Sequence, residues 1–148
     1  MLKVGEAEMR AVRQHAEEAY PQECCGVLLG STDGEQRIVK MAVRCVNTRD
    51  DRPHDRYNID PKALIGIQRE GRERGHEILG FYHSHPDCAA MWSKTDLENA
   101  HWIGCSYVIT RVDRGRAQDT RSFVLLGTVE EDKRFVEEEI TICNLIIS

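Results

Sequence analysis

The sequence predicts a single α/β domain over residues 1–148, in which a mixed β-sheet is flanked by helices. Two observations lead to this fold class. Segments with apolar residues at helical spacing alternate along the chain with short apolar runs of the kind that form strands. In addition, 41% of the 148 residues are hydrophobic, which is enough to bury a core without disulfide bonds.

The first half of the chain is predicted to form a helix, two strands and a second helix. Met9, Val12 and Ala16 share one face of the first helix, and Pro21 ends it. Asp60-Pro61 starts the second helix, because aspartate caps helices and proline fits their first position. The predicted bounds are 6–20 and 60–74 for the helices and 25–29 and 36–46 for the strands, with a turn at 31–34 and a polar loop at 47–54.

The second half is predicted to add a buried strand, a short helix, a pair of strands and a final strand. A turn at 112–118 separates the two strands that we expect to pair, and the apolar C-terminal residues are expected to return to the sheet as one strand. The predicted bounds are 94–102 for the helix and 77–82, 106–111, 121–126 and 135–147 for the strands, with a loop at 86–92.

Two histidines and an aspartate in this half have the spacing of a metal site. His83 and His85 follow the buried strand and project from the same face of an extended segment, because they are two residues apart. Asp96 lies one turn into the next helix and can return to the same point. Two imidazoles and one carboxylate make a three-ligand zinc site with one position left for water, which is the arrangement of a hydrolytic metal centre.

Each half of this pattern also has a structural explanation. A His-x-His pair at a strand end is common without a metal. Ser93 is a good helix N-cap, and Asp96 is favoured in the first turn by the helix dipole. Capping does not exclude metal binding, because a cap also fixes the orientation of Asp96.

Taken together, the motifs resemble the JAMM (MPN+) zinc metalloproteases. The family signature is matched by His83-Ser84-His85-Pro86 and by Ser93-x-x-Asp96, with seven residues between His85 and Ser93. Residues 21–30, Pro-Gln-Glu-Cys-Cys-Gly-Val-Leu-Leu-Gly, are similar to the family pattern Pro-x-Glu-x-x-Gly-x-Leu-x-Gly. Tyr57-Asn58-Ile59-Asp60-Pro61 is a further match. The resemblance runs from the first helix to about Leu126 and is to the short, stand-alone prokaryotic members.

The resemblance implies a fold, a metal and a mechanism. The fold is the JAMM/MPN fold, a curved mixed sheet of the cytidine-deaminase-like type, with one Zn²⁺ per chain held by His83, His85 and Asp96. Glu23 corresponds to the general base of the family. Ser93 corresponds to a hydrogen-bond donor to the oxyanion, not to a nucleophile, because both nearby histidines are committed to the metal.

Members of the family hydrolyse the bond after the C-terminal Gly-Gly of ubiquitin or ubiquitin-like proteins. This chain is too short between its motifs to hold the insertions of the ubiquitin-chain enzymes. The resemblance therefore implies a small β-grasp sulfur-carrier protein of the ThiS or MoaD kind as the substrate, joined through its C-terminal glycine. The attached group is an amino acid or peptide in one alternative, and a lysine side chain in the other.

Two other classes of protein compete with this interpretation. A non-catalytic MPN scaffold, which binds partners without metal, usually lacks part of the ligand set, whereas this chain has all of it. A zinc-dependent nucleoside or base deaminase needs His-x-Glu and Pro-Cys-x-x-Cys. Residues 86–91 read Pro-Asp-Cys-Ala-Ala-Met and lack the second cysteine, so the deaminase class is excluded on residues.

Composition excludes several partners and compartments. The net charge of -5 argues against nonspecific nucleic-acid binding, which needs a basic surface. No stretch approaches the ~20 apolar residues that span a bilayer, and residues 1–6 lack the apolar core of a signal peptide. The six cysteines show no Cys-x-x-Cys spacing and are expected to be reduced. A cytoplasmic location is therefore predicted.

Two residues beside the motif have roles that the sequence leaves open. Cys88 is interpreted as a small residue of the active-site loop, because a fourth protein ligand would close a catalytic zinc site. A fourth ligand and a redox-sensitive thiol are the alternatives. Trp92 stands where relatives often have proline, and it either shapes the substrate channel or packs against the core.

Overall fold

The computed structural model describes residues 1–49 and 57–144, and this part forms one eight-stranded mixed sheet with three α-helices. The strands are β1 (Leu2–Gly5), β2 (Cys25–Asp33), β3 (Gln36–Cys45), β4 (Glu77–Pro86), β5 (Ser106–Asp113), β6 (Arg116–Leu126), β7 (Arg134–Glu138) and β8 (Ile140–Cys143). The helices are α1 (Glu6–Ala19), α2 (Pro61–Glu73) and α3 (Lys94–Asn99), with a short 3₁₀ turn at Glu130–Asp132.

The sheet is strongly curved, and its strand order shows why. The order is β7-β6-β5-β4-β2-β3-β1-β8, so β7 and β8 are its two edges, yet Glu139 alone separates them in the chain. Seven strand spacings would place the edges of a flat sheet about 34 Å apart. One residue spans only ~3.5 Å, so the sheet must curl until its two edges meet at Glu139. The predicted curved mixed sheet is therefore confirmed.

The prediction was wrong at both ends of the chain. β1 was not predicted, because four residues carry too little alternation to show in a sequence; it lies parallel to β3 and β8. The C-terminal apolar residues were predicted as one strand, but β7 pairs with β6 and β8 pairs with β1. Residues 145–147 of that predicted strand lie outside the described residues.

Two turns are tighter than predicted. β2 continues to Asp33, and a two-residue turn with Gly34 at φ 62° joins it to β3, where the sequence suggested a turn at 31–34. Arg114 and Gly115, at φ 52° and 85°, form the turn before β6, which starts five residues earlier than expected. Positive φ at both central residues suits the twist of a hairpin.

Helices cover the sheet on both faces. Met9, Val12 and Ala16 of α1 are buried with residues such as Tyr82 on one face, as their spacing predicted. Leu64 of α2, by contrast, packs on the other face of the sheet with Phe81. Phe81 precedes Tyr82 on β4, and adjacent residues of a strand point to opposite faces. The helix predicted at 94–102 ends at Asn99, because Ala100 is extended. Among the described helices, none is long and apolar enough to cross a membrane.

A buried ion pair joins strands that meet across the curl. Arg37 on β3 contacts both carboxylate oxygens of Glu138 on β7, at 2.9 and 3.0 Å. The side chains are 16% and 7% exposed. Hydroxyl groups of Ser106 and Ser122 also donate to Glu138. The Arg37 guanidinium donates in addition to the carbonyl oxygens of two other segments, so this cluster fixes how the sheet closes.

Glu138→Ala is expected to lower the free energy of unfolding by about 3–5 kcal/mol, because it leaves Arg37 buried without its partner. Urea unfolding followed by circular dichroism measures this change. Glu137→Ala is the matched control, since Glu137 is a half-exposed neighbour with a 3.8 Å ion pair, worth ~1 kcal/mol or less. Equal losses in the two variants would show that the buried pair has no special role.

Candidate metal centre

Strand β4 brings the two histidines of the motif together. His83 and His85 are 1% and 9% exposed and lie on the same face of the strand, as their spacing predicted. Their Nε2 atoms are 3.1 Å apart. The intervening Ser84 is fully buried on the opposite face.

Asp96 on α3 meets the two histidines at the same point. Its Oδ1 lies 3.3 Å from Nε2 of His83, and its Oδ2 lies 3.1 Å from Nε2 of His85. Ser93 caps the helix: its Oγ accepts a hydrogen bond from the Asp96 amide at 3.1 Å, and its own amide donates to Asp96 Oδ2 at 2.8 Å. The capping interpretation of Ser93 is therefore confirmed, and the cap directs the aspartate towards the histidines.

The spacing of these three donor groups fits a tetrahedral metal ion. Ligands at ~2.0–2.1 Å from a tetrahedral centre are about 3.3–3.4 Å from one another. The two Nε2 atoms are 3.1 Å apart, and the Asp96 carboxylate contacts His83 through Oδ1 at 3.3 Å and His85 through Oδ2 at 3.1 Å, so the three groups lie close enough together to bind one such ion. Two imidazole nitrogens and a carboxylate are also donors that zinc accepts.

The two rings are oriented by groups behind them. Nδ1 of His85 donates to the carbonyl oxygen of Ala89 at 2.8 Å, which leaves the lone pair of Nε2 directed at the shared point. The ring of His83 is stacked on Tyr57, with centroids 4.5 Å apart. Within the described residues, Nδ1 of His83 has no hydrogen-bond partner, so this ring is held by stacking and by the contacts of its Nε2 atom.

The electrostatics of the site favour an ionised carboxylate. Burial by itself raises the pKa of Asp96, but the facing His83 and His85 outweigh it and hold the pKa well below its usual range. Burial also lowers the pKa of His83, which favours the neutral imidazole that binds metals. At His85 burial acts in the same direction, but the contact with Asp96 outweighs it and raises the pKa.

Glu23 lies beside the two histidines although it is 60 residues away in sequence. Cys25, at the start of β2, pairs with His83 on β4, and this register places Glu23 next to the site. Glu23 is 4% exposed, and its carboxylate and the ring nitrogens of His83 and His85 lie within 4.8 Å of one another. These three buried groups could hold a metal ion, or Glu23 could act on a molecule bound beside one.

A surface cleft of about 340 Å³ opens onto the site. It is lined by Glu23, His85, Pro86, Cys88, Ala89, Met91, Trp92 and Ser93. Trp92 packs on Phe135, with ring centroids 5.6 Å apart, and it also lines this cleft; its role in a substrate channel stays a prediction. A larger cleft of 630 Å³ lies at the other end of β4 and is not lined by Glu23, His83, His85 or Asp96.

Cys88 is exposed and lies in the cleft wall. Among the described residues, the group of possible ligand atoms that converge within 4.8 Å is Glu23, His83 and His85; it leaves out Cys88, and also Asp96, which meets the two histidines through separate carboxylate oxygens. The interpretation of Cys88 as a loop residue is consistent with this placement. Sequence reasoning missed two residues whose side chains form hydrogen bonds with the peptide group after Glu23. These are Asn47 and Ser84, and Ser84 stands between the two histidines of the motif.

Comparison with known proteins agrees with the arrangement of the site. Residues 6–126 match the model of a family described as prokaryotic homologues of the JAB domain. The chain belongs to this family. The JAMM/MPN resemblance of the sequence motifs is thereby confirmed, since the match includes every residue of the candidate centre.

Two relatives within this family have names that state an activity. A protein of Haloferax volcanii named desampylase is 36% identical over 107 residues, which are 70% of this chain and 75% of the relative. A protein of Mycobacterium tuberculosis named CysO-cysteine peptidase is 27% identical over 134 residues, which are 88% of each chain. Both relatives are aligned with most of the JAB domain described above.

Solved structures share the fold. A protein from Desulfitobacterium hafniense superposes with a TM-score of 0.84 at 28% identity, covering 99% of this chain and 95% of the other. A JAB1/MPN domain protein from Archaeoglobus fulgidus superposes with a TM-score of 0.58 at 16% identity, covering 97% and 98%. The predicted JAMM/MPN fold is therefore confirmed.

Proposed function

We propose that this protein is a zinc-dependent peptidase or isopeptidase that hydrolyses the bond after the C-terminal Gly-Gly of a ubiquitin-like or sulfur-carrier protein. The observation that carries the proposal is the meeting of the His83 and His85 ring nitrogens with the Asp96 carboxylate, beside which the buried Glu23 carboxylate lies. The names of two relatives, desampylase and CysO-cysteine peptidase, support hydrolysis of protein conjugates. A cytoplasmic location is part of the proposal, and the six cysteines, which are all free thiols, support it.

Each side chain then has a role. His83, His85 and Asp96 would hold one Zn²⁺, as the three protein ligands that a catalytic zinc site needs. Zinc, when bound, supplies Lewis-acid chemistry that brings the pKa of a water molecule towards neutrality. The Glu23 carboxylate accepts the proton of the attacking water and delivers it to the leaving nitrogen.

Ser93 has a hydroxyl proton to spare for the substrate. Its Oγ accepts from the Asp96 amide, which uses a lone pair and not the O–H group. We assign that O–H group to the oxyanion that forms when water attacks the carbonyl carbon. Since the loop of Ser93 also lines the cleft, the hydroxyl is within the surface that a substrate would contact.

The tail of the substrate is expected to be extended and small. A Gly-Gly tail lets the backbone come close to the walls of the cleft, because glycine has no side chain. The cleft walls are formed largely by uncharged residues, including Ala89, Met91 and Trp92. A carrier protein of the β-grasp class with such a tail is therefore the proposed substrate partner.

The test uses zinc-loaded protein and a β-grasp carrier with a Gly-Gly tail, joined to a lysine side chain in one substrate and to a cysteine in the other. Intact mass spectrometry is expected to show free carrier ending in Gly-Gly. The same carrier ending in Ala-Ala is the matched control and is expected to stay uncut. Binding of the carrier without cleavage of either conjugate would instead favour a non-catalytic MPN scaffold.

Ser93→Ala is expected to lower the cleavage rate by roughly 10²–10³ while zinc stays bound, as for the loss of one oxyanion donor. The lost cap should cost only ~1 kcal/mol of stability. Single-turnover kinetics with zinc content by native mass spectrometry measure both effects. Ser93→Thr keeps the hydroxyl and should retain activity, whereas loss of zinc in Ser93→Ala would mean that the residue acts mainly by assembling the site.

A further inference from the structure

The peptide group that joins Glu23 to Cys24 is held at both of its polar ends by side chains from other segments. The carbonyl oxygen of Glu23 accepts a hydrogen bond from Nδ2 of Asn47 at 3.3 Å. The amide of Cys24 donates to Oγ of Ser84 at 2.8 Å. Glu23 and Cys24 precede β2 and lie outside regular secondary structure. The direction in which the Glu23 side chain leaves the backbone is therefore fixed by these two contacts.

One of the two holding residues belongs to the metal-binding strand. Ser84 lies between His83 and His85, is fully buried, and also donates from its backbone amide to the carbonyl oxygen of Cys24 at 3.3 Å. It therefore fixes the backbone after Glu23 relative to the metal ligands.

The other holding residue ties Glu23 to the segment that covers His83. Oδ1 of Asn47 accepts from the amides of Arg49 and Asn58, at 3.0 and 3.1 Å. These amides only donate and the Glu23 carbonyl oxygen only accepts, so the amide group of Asn47 has a single possible orientation. Asn58 directly follows Tyr57, the residue stacked on His83.

We propose that Asn47 is a positioning residue for the general base: its side-chain amide holds the Glu23–Cys24 peptide group against Ser84. This inference rests on the proposed function of Glu23. A base must lie about 2.6–3.2 Å from the group whose proton it takes, and an error of ~1 Å can reduce a rate by ~10². Asn47 does not contact the substrate or the metal in this role; it acts only through Glu23.

Asn47→Asp is the sharpest substitution, because it keeps an acceptor oxygen for the two loop amides and removes the donor to Glu23. We expect kcat to fall by roughly 10–10², with KM and zinc content unchanged. Thr48→Val is the matched control. The Thr48 hydroxyl contacts Asn58, as Asn47 does, but it does not contact Glu23. Its kcat is expected to stay close to that of the wild type.

A double-mutant cycle separates positioning from general disruption. If Asn47 acts through Glu23, Asn47→Asp should cost little further rate in a Glu23→Gln background, because the residue that it positions is already inactive. An equal fold-loss in both backgrounds would overturn the inference. So would an Asn47→Asp variant with the kcat of the wild type.

A second measurement does not depend on activity. In crystals of the wild type and of Thr48→Val, Nδ2 of Asn47 should lie within hydrogen-bond distance of the Glu23 carbonyl oxygen, with the Glu23 carboxylate beside His83 and His85. In Asn47→Asp this contact should be lost and the Glu23 carboxylate displaced. An undisplaced Glu23 in Asn47→Asp would overturn the inference even if conjugates are cleaved. Failure of the wild type to cleave any conjugate, with Glu23 displaced in Asn47→Asp, would count against the proposed function and leave the positioning contact in place.

Discussion

Glu23→Gln is expected to retain zinc and to lose hydrolysis, with kcat lowered by about 10²–10⁴, the usual contribution of a general base. The amide has nearly the shape of the carboxylate but cannot accept the proton of the attacking water. Zinc should remain, because the three proposed ligands are His83, His85 and Asp96, and Glu23 is not one of them. Conjugate cleavage gives the rate, and native mass spectrometry gives the zinc content.

The outcome also distinguishes two roles that the position of Glu23 allows, general base and metal ligand. Its carboxylate lies within 4.8 Å of both histidine ring nitrogens, which is near enough for a fourth ligand as well as for a base. Loss of zinc in Glu23→Gln would indicate a ligand, and undiminished turnover would remove it from the base role. Gln22→Ala changes the exposed neighbour and should leave rate and zinc content unchanged.

His83→Ala and Asp96→Ala are expected to lose both zinc and activity. Each removes one of the three proposed ligands, and the two that remain are fewer than a catalytic zinc site needs. Native mass spectrometry should find one zinc per wild-type chain and none in either variant. Circular dichroism should show that the variants remain folded, since the cap lost with Asp96 is worth only ~1 kcal/mol.

His101→Ala is the matched control for these losses. His101 is an exposed histidine that lies 3.9 Å from Glu130, and its removal should leave the zinc content at one per chain. Unchanged zinc content in His83→Ala or Asp96→Ala would refute the ligand assignment. A wild type without zinc, even after zinc is supplied, would refute the enzyme and favour an MPN scaffold.

The sequence predicted correctly that His83, His85 and Asp96 meet, because these residues are local; their role as metal ligands stays a prediction. Alternation along one strand is enough to place His83 and His85 on one face, and a capped helix start is enough to direct Asp96. Glu23 is different: nothing in its own surroundings distinguishes it from the other acidic residues, and only the family pattern singled it out. The β2–β4 register that brings it to the site is a long-range pairing, which local patterns do not encode.

The supporting contacts were beyond sequence reasoning for the same reason. Asn47 is one polar residue in a polar segment, and its role depends on a hydrogen bond to a peptide group 24 residues earlier. The pairing of β1 with β8 also could not be predicted from the sequence. Their pairing follows from the curl of the whole sheet, which is set by Glu139 and by the buried pair of Arg37 and Glu138.

The meeting of the two sheet edges has a consequence for how the chain folds. Leu2 pairs with Ile140. The sheet therefore closes only when residues from the two ends of the described sequence come together. Contacts of such long separation slow folding to the millisecond-to-second range. The proposed metal ligands His83, His85 and Asp96, by contrast, lie within fourteen residues. We therefore expect β4 and α3 to bring the metal ligands together early, with sheet closure following as a later and slower step.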